Sequence, residues 1–167
     1  MARLVFWLSV LAYAGLWGVA AATLPERVPL HFGAIGEVDR WGSRTEALVT
    51  MGILGAAMAL LFAALAHWTP RVPETLLNIN ARDKRWWLAT PEREAELRRR
   101  LEVDLHVIAA ATMVLLIAVE AVMIHTAHDA EPSLPWWFFL TFGAYLAFTI
   151  AWCAFLVLRR YRTPRDA

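Results

Sequence analysis

Residues 47–66 read ALVTMGILGAAMALLFAALA, twenty residues without a charge. That is the roughly 20-residue length a helix needs to cross a hydrocarbon core ~30 Å thick. Three more blocks of the same character appear on working outward. Residues 4–24 carry no charge, residues 105–127 are apolar except for His106, Glu120 and His125, and residues 134–158 form the last block. The charges fall between the blocks rather than at helical or strand periods within them. Such segregation points to a bilayer as solvent, where helix is the open-chain form that satisfies its own backbone.

The expected fold is therefore all-α, a four-helix transmembrane bundle forming a single integral membrane domain over 1–167. Its connections are a loop at 25–46, a longer one at 67–104 and a short third one. The first block also has the look of a signal peptide, with Arg3, an apolar run and Ala20-Ala21-Ala22. Its run is longer than the usual signal core of ~7–15 residues, so it is expected to be retained as a span.

Lys and Arg in short loops set orientation. Arg27, Arg40 and Arg44 lie in the first loop, and the third loop has none. The remaining 13 of 16 basic residues lie before span one, in the second loop and in the tail. Both termini and the 67–104 loop are thus expected in the cytoplasm, with the first and third loops outside. Trp68 and Trp136-Trp137 mark headgroup level at span ends. Trp86-Trp87 suggest that part of the cytoplasmic loop rests on the inner membrane surface.

Net charge is only +1, so nothing favours nucleic acid as a partner. Cys153 is the single cysteine, which excludes an intrachain disulfide and a CxxC metal site. Among Trp152, Ala154 and Phe155 it reads as a small buried apolar residue.

Small residues let helices approach closely in lipid. Ala14, Gly18 and Ala22 form such a stripe on span one, as do Gly52, Ala56, Ala59, Ala63 and Ala66 on span two. Gly143, Ala147 and Ala151 form another on span four. They read as seams within the bundle, with a homodimer seam as the alternative. In the second loop, Thr90-Pro91-Glu92 is a helix start: a capping hydroxyl, proline at the first helical position and an acid in the first turn. No breaker follows, so one helix is expected from about Pro91 to Thr126, a cytoplasmic extension of span three.

The first loop, LPERVPLHFGAIGEVDRWGSR (24–44), is too polar to span and too patterned for a neutral linker. Prolines stiffen its start and glycines permit tight turns. His31, Asp39, Trp41 and Arg44 are groups a loop can present to a partner. The stretch resembles the membrane family called domain of unknown function 1648. The matching residues are Pro25, Val28, Pro29, His31, Phe32, Gly36, Asp39, Trp41, Gly42, Ser43 and Arg44, and the likeness covers about the first 70 residues. Asn78-Ile79-Asn80 resembles the family's Asn-Ile-Pro, with Asn80 departing from it. The resemblance implies a bacterial cytoplasmic membrane protein. Its best-known relatives confer immunity to a secreted killing peptide, and some act as receptors that hold a transcription repressor at the membrane.

Glu120 lies about two turns below the outer end of span three, at a depth where carboxylates usually face the bundle interior or a water-filled cavity. Arg44, Arg40 and His31 are its expected partners, brought down if the loop folds over the bundle mouth. His31, His125 and His128 are candidate metal ligands, although ligation requires three or four groups to converge. Asp104, His106 and His67 read as interfacial. There is no HExxH element, nucleophile elbow, phosphate loop or dinucleotide fingerprint, so no enzyme activity and no cofactor are expected. The leading expectation is a receptor or immunity-like protein whose outer loop binds an extracytoplasmic peptide or membrane-protein partner. The alternatives are a small ion- or proton-coupled transporter using Glu120, and an accessory subunit of a larger membrane complex.

Overall fold

The structure is a computed structural model that describes residues 1–77 and 79–163, and the side chains of all of these but 81 and 82. Asn78 of the Asn78-Ile79-Asn80 likeness and Arg165 of the basic tail lie outside the described residues. The chain is mostly helical, and four of its helices are long and apolar enough to cross a membrane. They are α1 (Ala2–Thr23), α2 (Arg44–Trp68), α4 (Pro91–Ala127) and α5 (Trp136–Phe155). A short α3 (Ala81–Trp87) lies between α2 and α4.

The all-α expectation is corrected in the first loop. Residues Arg27–Phe32 (β1) and Val38–Ser43 (β2) form an antiparallel hairpin. Arg27 pairs with Ser43, Val28 with Gly42 and Pro29 with Trp41, and bulges then shift the register so that His31 meets Arg40. Proline is tolerated here because a two-stranded sheet consists of edges. Gly36 takes the turn at φ 88°, a backbone region that favours glycine.

Capping fixes where α2 and α4 begin. The Ser43 hydroxyl accepts from the Glu46 amide at 3.1 Å, in a Ser-x-x-Glu frame. The Thr90 hydroxyl accepts from the Arg93 amide at 3.4 Å, with Pro91 at the first helical position. From there α4 runs unbroken for 37 residues, about 55 Å at the usual rise. That exceeds the ~30 Å hydrocarbon thickness, so the helix is longer than one span requires.

α4 is the central helix, in contact with α1, α2 and α5. Phe6, Tyr13, Ala109, Ala110 and Met113 make one core cluster between α1 and α4, and Ala20, Leu24, Val28, Ala47 and Met123 make a second beneath the hairpin. Within the expected four-helix arrangement α5 is peripheral: it packs on α4 alone among the spans and has no buried residue. Cys153 is consequently exposed on the outer surface of α5, not buried.

Of the expected seams, the α2 stripe packs in part, with Gly52 against the Trp17 ring and Ala66 buried, whereas those on α1 and α5 are revised. Ala14, Gly18, Ala22, Gly143, Ala147 and Ala151 are all exposed, and nothing lies within 4 Å of a Cβ built at Gly18 or Gly143. The close approach is instead at Gly55, where the Tyr13 ring occupies the space a side chain would need. Tyr13 then donates its hydroxyl to the Met51 carbonyl at 2.7 Å, and Trp17 Nε1 donates to the Leu48 carbonyl at 3.0 Å.

At the far end from the hairpin, Leu77, Trp87, Leu97 and Tyr161 form a third cluster. Trp87, expected on the membrane surface, is only 4% exposed and donates to the Tyr161 carbonyl at 2.9 Å. Arg100 stacks on its ring, and Arg93 on that of Trp86. Asp104 is buried here, and one of its oxygens accepts from Arg160 Nε at 2.5 Å and the Tyr161 hydroxyl at 2.6 Å. Burial, followed by this bond to Asp104, pushes the Tyr161 hydroxyl well above the usual phenol range.

Candidate ligand-binding site at the hairpin end

The hairpin is anchored on three sides. At its base, Arg44 donates from its side chain to the Ala21 carbonyl, and its amide donates to the Glu26 carbonyl at 3.1 Å. At its tip, the Leu134 amide donates to the Gly36 carbonyl at 2.9 Å, and Glu37 bridges to Ser133. The tip is thereby tied to the α4–α5 connection. Beneath it, the buried Val28 packs among Ala20, Leu24, Ala47 and Met123.

On the exposed strands, His31 Nδ1 lies 2.6 Å from Asp39 Oδ1. Asp39 can only accept when ionised, so Nδ1 carries the proton and the tautomer leaves Nε2 free to accept from a ligand. Arg27 stacks over Trp41, with its guanidinium carbon 4.6 Å from the ring centroid. Arg40 pairs with Glu46. His31, Asp39 and Trp41 are thus brought onto one hairpin, whereas Arg44 serves its base.

Glu120 lies elsewhere. It is 0% exposed on the inner face of α4, and neither carboxylate oxygen has a hydrogen-bond partner. The expected cap of Glu120 by Arg44, Arg40 or His31 is not formed, because each of those side chains is engaged with a nearer acceptor. Hydroxyl and indole donors on α1 likewise turn to α2 carbonyls, not to Glu120.

The candidate metal ligands do not converge either. His125 sits 3.7 Å from Asp129 and tilts against the Trp137 ring. His128 reaches the Ile124 carbonyl with Nδ1 at 2.8 Å and the Thr23 carbonyl with Nε2 at 3.1 Å, linking the ends of α4 and α1. Among the described residues, no three His, Cys, Asp or Glu side chains gather as a metal site.

The sequence reading missed a crevice under the hairpin. A cavity of about 250 Å³ opens between β1, α2, α4 and α5, walled by Leu30, Phe32, Met51, Val122, Met123 and Phe138, with His31 also on its lining. Alternation along β1 was the available signal: Val28 is buried under the strand, while Leu30 and Phe32 are half-buried along the crevice. The hairpin's other side presents Ile35, 89% exposed, and Trp41 around a shallow hollow shared with Glu131 and Ser133.

This arrangement can hold an apolar group and offer it one oriented imidazole. Its hairpin and α2 walls lie within the part of the chain that matches other proteins, whereas its α4 and α5 walls lie beyond it. Residues 8–56 match the family model described as Domain of unknown function (DUF1648). That span takes in most of α1, the hairpin and the first half of α2, and with them His31, Asp39, Trp41, Arg44 and the Tyr13–Gly55 contact. An uncharacterized protein of Archaeoglobus fulgidus is 46% identical over 57 residues. The aligned stretch covers 32% of this chain and 31% of that relative, so the chain spans less than a third of the relative's length. No solved structure matches. Residues 8–56 of this multi-pass membrane chain are thus similar to the family called domain of unknown function 1648.

Proposed function

We propose that this protein is a membrane receptor or immunity-like protein that captures an extracytoplasmic hydrophobic ligand beneath its hairpin. The supporting observation is the apolar crevice between β1, α2, α4 and α5, with His31 at its lining. Small-molecule and peptide sites are typically apolar clefts with a few placed polar groups. An apolar peptide side chain fills the crevice, and the oriented His31 Nε2 accepts a hydrogen bond from it. Ile35 and Trp41 extend the contact over the hairpin's far side. The protein lies in the cytoplasmic membrane, bacterial by the resemblance, with both termini inside, and it acts by binding rather than by catalysis.

A photo-crosslinking residue in place of Phe32, irradiated in native membranes, tests this reading. The expected product is an adduct with an extracytoplasmic peptide or protein, absent when the crosslinker replaces Leu158 at the other end. Adducts with lipid alone would defeat the receptor reading.

A second reading rests on Glu120, whose buried and unpartnered carboxylate suits a carrier in which that group takes up and releases a proton or cation. Intramembrane ionisable residues are functional candidates by default. It would make transport, and not ligand capture at the hairpin, sensitive to Glu120→Gln.

A further inference from the structure

The opposite end of the spans holds a second cavity, of about 320 Å³, between the start of α1, the end of α2 and the middle of α4. Its chemistry differs from that of the crevice. Arg3 and Trp7 line it from α1, His67 and Arg71 from the end of α2 and the turn after it, and Glu102 and His106 from α4. Arg3 and Trp7 on α1, and Glu102 and His106 on α4, are each four apart and share one helical face, and the end of α2 with its following turn closes the third side.

The charges in this space are not spent on each other. Arg71 Nη1 donates to the His67 carbonyl at 2.7 Å and has no carboxylate partner among the described residues. The side chains of Arg3 and Glu102 make no hydrogen bond or ion pair among the described residues. His106 is buried, with Nδ1 2.8 Å from the Glu102 carbonyl oxygen and its ring edge-on to Phe6. Nδ1 therefore carries the proton, and Nε2 is free to accept.

The cavity lies where the apolar blocks end and the charged segments begin, the level at which headgroups and tryptophans meet. Two guanidiniums without a carboxylate suit a phosphate, which they can bind through forked donors. One unpaired carboxylate in the same cavity suits an ammonium. Ala63 and Ala66 on the α2 wall leave room for chains to run toward the hydrocarbon. A surface arginine that merely snorkels to passing phosphates would have neither the cavity nor the opposed carboxylate.

We propose that this cavity binds the headgroup of an amine-bearing phospholipid of the phosphatidylethanolamine type. Its phosphate lies on Arg3 and Arg71, and its ammonium on Glu102.

Native mass spectrometry of the full chain, purified from nanodiscs with equal phosphatidylethanolamine and phosphatidylglycerol, tests the assignment. The wild type should retain phosphatidylethanolamine in preference, by about fivefold, the factor a partly solvated ion pair of ~1 kcal/mol supplies. Glu102→Gln should abolish that preference while total retained lipid stays unchanged. The Arg3→Ala/Arg71→Ala double variant should lose retention of both lipids, with helix content by circular dichroism checking that it has folded. Equal retention of the two lipids by the wild type, or a preference that survives Glu102→Gln, would overturn the proposal. So would full thermal stabilisation of the delipidated protein by inorganic phosphate alone, which would assign the cavity to free phosphate.

Discussion

Glu120 shows how far a single residue can be read from depth in a span. Its burial was legible, since a lone acid in an apolar helix faces inward. Its partner was not, because topology brings Arg44, Arg40 and His31 to the same end without saying what they meet first. Each meets something nearer: the Ala21 carbonyl, Glu46 and Asp39. The consequence is a change of sign. A capped Glu120 would cost ~3–5 kcal/mol to remove. An unpartnered one carries an uncompensated desolvation penalty of ~1–3 kcal/mol, so Glu120→Met should stabilise the protein by about that amount in detergent unfolding. Arg44→Ala should destabilise it, and the double variant should equal the sum of the singles within ~0.5 kcal/mol. Strong coupling, or a loss of stability in Glu120→Met, would mean that the carboxylate has a partner after all.

At the scale of elements, the four long helices and the start of α4 were readable because length, apolarity and capping residues speak locally. Pro91–Ala127 matches the expectation built on Thr90-Pro91-Glu92 closely. The hairpin was harder. Its strands are only six residues each, Pro29 interrupts the pattern, and the prolines and glycines read equally well as a stiffened loop. The contact surfaces of the helices were least legible, because nearly every face of an alanine-rich span looks fit for packing. Which small residue matters depends on the large one opposite, and here it is Tyr13 against Gly55. Gly55→Ala should therefore cost ~1–3 kcal/mol through overpacking and release Tyr13 from the Met51 carbonyl. Gly18→Ala, with open space before it, should cost nothing measurable. Equal effects of the two in thermal unfolding would show that the α1–α2 contact is not formed as described.

For the whole molecule, helix order alone places the hairpin and the 128–135 connection at one end of the spans. The N-terminus, the Leu77–Trp87–Leu97–Tyr161 cluster and the end of α5 lie at the other. The two ends differ in chemistry. One has an apolar crevice under a tethered hairpin, and the other gathers most of the basic residues among the described ones. We propose that basic charge in short loops keeps that end in the cytoplasm and turns the hairpin outward, and the proposed ligand capture depends on that orientation. The direct measurement is thiol labelling of intact cells, with Cys153→Ala as background because Cys153 is exposed on α5. Ala34→Cys at the hairpin turn and Ser133→Cys beside it should label with a membrane-impermeant reagent, and Ala95→Cys on the first turns of α4 should label only after lysis. Labelling of Ala95→Cys in intact cells, with Ala34→Cys protected, would contradict the account.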